Sequence, residues 1–251
     1  MELSPDMWLS TVRAVPTIGV VSKPTFESGS DFLGLLRGLL QRWDGHAKGL
    51  KISLEPLKLS IDESSGFLTS VEPGVVSTTF KYKAAIHETD RVHPVLEYVS
   101  EPRPVAAILD DCVKRTIDVF QDLQKTSKRE IDIIGVMVSG NIPADNPPPG
   151  FVQFLDHVVS PWAGKSIPVG NLRFRVDLDE CDGYSNRCNH VFEYNKESER
   201  PALVFHLDWQ RKYSRARALS HSNLSVQIAE CISDAFDYFN KFAIGDLSYA
   251  E

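Results

Sequence analysis

The sequence predicts an α+β protein: two β-α-β-β-β-α repeats, residues 1–126 and 127–251, forming one pseudo-twofold antiparallel sheet with helices on one face. Three observations carry this. The order of apolar patterns in the first half recurs in the second. Particular residues recur at a nearly fixed offset, the mark of internal repetition. The stretch between the halves, Thr126–Glu130, is too short to join two independent domains, so both repeats belong to one compact domain.

Residues 15–22 (VPTIGVVS) are β-branched and flanked by prolines, which predicts a strand. Residues 30–43 place Phe32, Leu35, Leu36, Leu39, Leu40 and Trp43 at helical spacing behind Ser30 and Asp31, either of which can cap the helix. KISLEPLKLSI (51–61) alternates, but its phase slips at Glu55-Pro56, which predicts a bulged or edge strand. Strands follow over 67–71 and 75–87, divided by the turn-forming Glu72-Pro73-Gly74. After a proline-punctuated loop, residues 105–126 form an amphipathic helix burying Ile108, Leu109, Cys112, Val113, Thr116, Phe120 and Leu123.

The second half reads as a strand (131–142), a turn (ADNPPPG) and a short helix (151–159). Strands over 171–179, 190–195 and 202–210 come next. The final helix, 220–243, buries Leu224, Ile228, Cys231, Ile232, Ala235, Phe236, Phe239 and Phe242. Ile18-Gly19-Val20 recurs as Ile134-Gly135-Val136, 116 positions on. Asp118, Phe120 and Lys125 recur as Asp234, Phe236 and Lys241 at the same offset, and Phe32/Trp43 as Phe151/Trp162 at an offset of 119. Two such units sharing one sheet would bury what neither buries alone.

Hydrophobic residues make up 42% and charged residues 24%, enough for a full core. Net charge is −7, with 14 Lys+Arg against 17 Asp+Glu in residues 1–126 and 13 against 17 in the remainder. Neither half has the basic field of a phosphate-backbone binder, so nucleic acid is not favoured as a partner. No apolar run is long enough to span a membrane. Glu2 and Asp6 stand where a secretory signal would place cations, so a cytoplasmic location with free thiols is expected for Cys112, Cys181, Cys188 and Cys231.

No catalytic or cofactor motif is present, and no cofactor is expected. The acidic run Asp177, Asp179, Glu180, Asp182 before Gly183 departs from calcium-loop spacing, because Cys181 falls at a ligand position. Asp177 and Asp179 share a strand face, so with His190 or Glu193 they could hold a divalent metal for hydrolase or nuclease chemistry. Cys181, Cys188 and His190 lack the spacing and the fourth ligand of a zinc site. His206 and Asp208 project to one strand face and could do acid–base work, although no nucleophile motif accompanies them. Arg211, Lys212, Arg215 and Arg217, beside Trp209 and Tyr213, are the densest positive charge. On an exposed connection they would suit an acidic partner surface or a phosphate.

The element order resembles the duplicated saddle of the TATA-box-binding protein, a likeness of order alone that implies nothing about DNA. Three segments, IGVMVSGNIP (134–143), LVFHLDW (203–209) and the final helix with His221, Ile228 and Phe236, resemble an uncharacterised, sporadically distributed bacterial family of similar length. That family usually has arginine where Met137 stands, and the resemblance implies no activity and no site residue. The expectation is therefore a non-enzymatic binding or regulatory protein acting with a protein partner, such as a toxin-neutralising or phage-defence accessory factor. The alternatives are the metal-dependent hydrolase or nuclease and a small-ligand-binding domain.

Overall fold

The computed structural model describes residues 8–9, 12–23, 34, 37–38, 47–54, 57–87, 95–126, 128–143, 148–153, 169–181, 183–195 and 202–246. Its strands are β1 (Val15–Lys23), β2 (Ala47–Leu54), β3 (Leu57–Glu63), β4 (Phe67–Glu72), β5 (Val75–Phe80), β6 (Ala84–His87) and β7 (Val95–Tyr98). After helix α1 (Val105–Thr126) come β8 (Glu130–Pro143), β9 (Val169–Cys181), β10 (Tyr184–Asn195), β11 (Ala202–Arg217) and helix α2 (His221–Ile244). Nine strands form one antiparallel sheet in the order β2-β3-β4-β5-β1-β8-β11-β10-β9. Strands β6 and β7 form a separate pair.

Strand burial follows the two-residue period of the sequence. In β1 the buried positions are Pro16, Ile18, Val20 and Ser22, while Val15, Thr17, Gly19 and Val21 face the other way. β4 and β5 alternate in the same manner, and between them Gly74 turns the chain at φ 77°, a conformation that suits glycine. Both helices pack on the face bearing Ile18, Thr78, Ile134 and Trp209. α1 lies over β1 and β5, and α2 over β8 and β11. Their buried stripes are broadly those of the sequence pattern, and α1 adds Ile117 and Val119. In α2, Tyr238 and Ala243 are buried, whereas Ile232 and Phe236 are only partly so.

Four elements differ from the sequence pattern. The strand expected over 51–61 is two antiparallel strands, β2 and β3, with Leu54 opposite Leu57, so the phase slip marks a boundary between strands rather than a bulge within one. The strand expected over 75–87 ends at Phe80. Lys83 N–H donates to Ser100 Oγ at 3.0 Å and Val99 N–H to Lys83 O at 2.9 Å, which draws β6 away toward β7. β10 starts at Tyr184 rather than 190. β11 continues to Arg217, so the basic cluster lies on a strand, not on a connection. Of the first expected helix, Gly34, Arg37 and Gly38 are helical; of the second, Gly150–Gln153 lie in a helical segment with Phe151 buried. Phe32, Trp43 and Trp162 lie outside the described residues.

Candidate functional site

The central seam of the sheet joins β1 to β8, strands far apart in sequence. Its register sets Ile18 opposite Val136, Gly19 opposite Gly135 and Val20 opposite Ile134. Gly19 and Gly135 therefore face each other on the side of the sheet away from α1 and α2. There the missing side chains leave a depression of about 280 Å3, lined by Thr17, Gly19, Val21, Ile133, Gly135, Met137, Asp208 and Gln210. A Cβ placed on Gly19 would meet nothing within 4 Å, and one on Gly135 only the carbonyl oxygens of Trp209 at 3.8 Å and Gly19 at 3.9 Å. The fold itself does not require glycine at either position.

The rim of the depression is held by hydrogen bonds. Arg187 Nε and Nη2 donate to Gln210 Oε1 at 2.9 and 2.5 Å. Gln210 Nε2 and Asn189 Nδ2 both donate to Asp208 Oδ2, at 2.6 and 3.0 Å. This row fixes Asp208 and Gln210 across β10 and β11. Toward β5, Thr17 Oγ1 donates to Thr79 Oγ1 at 2.7 Å. His206, directly opposite Ser139, has its Nδ1 2.7 Å from the Ser139 hydroxyl. His206 and Asp208 do share a face, but His206 turns to Ser139 while Asp208 is engaged by Asn189 and Gln210, so the two are not coupled as a base and its orienting carboxylate.

The basic cluster is divided. Arg211 points under α2 and is 1% exposed; its guanidinium pairs with Asp234, lies 3.6 Å from Glu230, and sits 4.2 Å from the Tyr184 ring centroid. Trp209 is buried on the same side, its ring 5.3 Å from that of Tyr238. Arg211 and Trp209 thus correct the expectation of an exposed group, because strand alternation turns every odd residue of β11 from 205 to 213 into the core. Lys212 faces the open side, opposite Ile133 at the edge of the depression. Arg215 is exposed, and Arg217 lies 5.3 Å from the ring centroid of buried Tyr213. A second hollow of about 280 Å3, at the ends of β9, β10 and β11, is lined by Glu180, Cys181, Tyr184, Ser185, Lys212, Tyr213 and Ser214.

The described acidic residues of the 177–182 run do not converge with His190 or Glu193. Asp177 is exposed and paired with Arg175, Nη2 to Oδ2 at 2.9 Å. Glu193 accepts from Asn171 at 3.1 Å, six positions along β10 from the Arg187 that faces Asp177. At about 3.3 Å per residue that is roughly 20 Å. His190 is on the other face, fully buried and stacked on Phe174 at 4.3 Å, with Tyr238 Oη 3.1 Å from its Nε2. Burial lowers the His190 pKa to about 4, so its ring is neutral. The side chain of Asp179 lies outside the described residues. Among the described residues no group of three or more His, Cys, Asp or Glu is placed to hold a metal ion.

Cys112, Cys188 and Cys231 are buried and Cys181 is exposed. Burial pushes the thiols of Cys112 and Cys231 up to about 12 and raises that of Cys188, which leaves these three as core groups rather than nucleophiles. Among the described residues no helix is long and apolar enough to cross a membrane. Fold and site together define an α+β protein with one helix-covered sheet face and, among the described residues, one open face that is notched at its centre. Comparison with family models, curated proteins and solved structures finds no match for the chain.

The signal for the depression in the sequence is the Ile-Gly-Val repeat itself: it marks duplication, and a glycine inside a strand also marks a place where another molecule can approach closely.

Proposed function

We propose that this chain is a non-enzymatic binding protein that engages a protein partner on the open face of its sheet, with the two halves arranged as a pseudo-twofold duplication about the Gly19–Gly135 pair. One observation carries the binding reading. Two glycines face each other at the seam where larger residues would fit. Glycine inside a strand costs roughly 0.5–1 kcal/mol relative to alanine. A partner that closely approaches the backbone supplies a reason to retain it. The lining is mostly apolar, with Asp208 and Gln210 on the rim and Lys212 opposite Ile133. This suits a partner that seats an apolar side chain in the notch and sets a carboxylate beside Lys212.

The duplication reading is supported by the strand order. Outward from β1 run β5, β4 and β3; outward from β8 run β11, β10 and β9. In each half the last strand in sequence within the nine-stranded sheet lies next to the central one. The β2 strand and the β6–β7 pair are additions of the first half. An accessory role beside a toxin or a phage-defence effector fits a protein whose described acidic, histidine and cysteine groups do not form a catalytic constellation. The acidic-site reading draws no support from Asp177 and His190, which stand on opposite faces.

The test is Gly19→Leu. The side chain enters open space, so the melting temperature should stay at the wild-type value while the notch is filled. Capture from the native host should recover a partner with the wild-type chain and lose it with the variant. Equal recovery by both would remove the open face from the interaction.

A further inference from the structure

We infer that a second copy of this chain pairs with the first through the edge strand β9, antiparallel, about a twofold axis at Val176. Among the described residues β9 is an edge of the nine-stranded sheet, and it is 13 residues long without a proline. A long strand edge with unpaired backbone groups is a template for another strand unless its side chains forbid it. Here they match a second copy of themselves.

On the open face β9 carries Arg173, Arg175 and Asp177 at alternate positions. Reversal about Val176 sets Arg175 opposite Asp177 of the second copy and Asp177 opposite Arg175 of the second copy. Opposite charges directly across an antiparallel pair stabilise it, and like charges oppose it. In the single chain Arg175 and Asp177 are bonded to each other and are both more than half exposed, at 55% and 62%, so both are accessible to a second strand.

The opposite face matches as well. Phe174 would face Leu178 of the second copy, and Val176 would face itself. These side chains are only partly buried in the single chain, whereas Cys188, His190 and Phe192 on neighbouring β10 are buried. A second β9 would cover them. A bulge in β9, where Ser185 pairs with Glu180 but Arg187 with Asp177, ends the regular ladder near Leu178. The pairing is therefore centred on residues 174–178.

The other edge disfavours the same arrangement. β2 contains Lys48 and Lys51 and no acidic residue, so self-pairing there would gather charge of one sign only. One edge of the sheet is set against self-pairing, and the other is complementary to it. The product is a dimer with two nine-stranded sheets joined edge to edge.

The experiment is sedimentation of the full chain over a concentration series, with Arg175→Asp, Asp177→Arg and the double exchange. The wild type should dimerise. Each single reversal should weaken the dimer roughly tenfold or more, because it sets like charges opposite one another. The double exchange should restore it, because opposite charges then face each other again across the twofold axis. A wild type that stays monomeric at its highest soluble concentration overturns the inference. So does a dimer indifferent to the single reversals, or a double exchange that fails to rescue. Both changes are at exposed positions, so thermal melts taken at concentrations where every variant is monomeric should match and serve as the folding control.

Discussion

The two halves of the sheet carry helices of similar length but hold them by different chemistry. Under α1 the contact includes a row of buried hydroxyls: Thr116 Oγ1 donates to Thr78 Oγ1 at 2.9 Å, which lies 3.2 Å from Thr69 Oγ1. Under α2 the contact is aromatic. Phe151 meets Phe192, Phe205 and Phe242 edge-on at 5.1–5.9 Å, and His190 lies among the rings. The polar anchors are also reversed. In the first half the helix supplies the cation, Arg115, and the strand the acid, Glu63, in a two-pronged contact of 2.6 and 2.8 Å. In the second half the strand supplies Arg211 and the helix supplies Asp234 and Glu230. One layered arrangement therefore tolerates different core chemistries, provided that each buried charge has its counter-charge.

The largest effects should come from the aromatic stripes, and they should be alike in the two halves. Phe239→Ala and Phe120→Ala are each expected to cost about 3–5 kcal/mol in denaturant unfolding, since both rings are fully buried. Phe236→Ala should cost less, because that ring is only partly buried. Equal losses at 236 and 239 would mean that the buried face of α2 is misplaced.

Acid should separate the halves. His190 is the buried histidine among the described residues, and it belongs to the second half. Its folded pKa of about 4 lies below the ordinary value of 6.5, so the unfolded chain binds a proton first as pH falls. The stability it protects is complete above pH 6.5 and declines toward pH 4, by on the order of 3 kcal/mol. In His190→Phe that part of the pH dependence should vanish. An unchanged slope between pH 6.5 and 4 would assign the acid sensitivity elsewhere.

The polar anchors should differ next. Asp234→Ala leaves a guanidinium that is 1% exposed, with Glu230 at 3.6 Å as its remaining ion pair. A loss of about 2 kcal/mol is expected. Glu63→Ala leaves Arg115 22% exposed and still near Asp111, so about 1 kcal/mol is expected. Urea titration of the two variants side by side checks the order.

The smallest effects on stability are at the surface. Charge reversal at Lys212, Arg215 and Arg217 should change unfolding by less than about 1 kcal/mol. Partner binding, by contrast, should weaken at low salt, and the defect relative to wild type should shrink at high salt, where screening removes the wild-type attraction. Gly19→Ala should be neutral or stabilising by up to about 1 kcal/mol, because a Cβ there enters open space. A loss of stability in Gly19→Ala would show that the glycine serves the fold after all.

Much of this molecule follows from sequence period. Alternation along 15–22, 67–71 and 171–179 marks the strand faces. Helical spacing marks Ile108 to Leu123 and Leu224 to Phe242, and Pro73-Gly74 marks a turn. These are local signals, written by one element's own two faces. The antiparallel pairing of β2 with β3, the divergence of β6 after Phe80 and the extension of β11 through the basic cluster were not legible, because each depends on which segment offers the next hydrogen bonds. The same limit applied to the site. His206 and Asp208 could be placed on one face from their spacing, but nothing near Gly19 in the chain says that Gly135 lies across from it.

The sequence by itself therefore determined most of the elements, the inward and outward faces of those strands and helices, and the order of charges along β9. Tertiary structure decided the rest: that β1 and β8 meet at the centre, that Arg211 is buried while Lys212 is exposed, and that Gly19 and Gly135 face each other on the side away from α1 and α2. The physical reason is range. Side-chain period and charge order are properties of a few consecutive residues, whereas burial and pairing are set by elements a hundred residues away, such as the β8 strand that meets β1 across the seam, or by a neighbouring element such as α2, whose acids make a buried arginine tolerable.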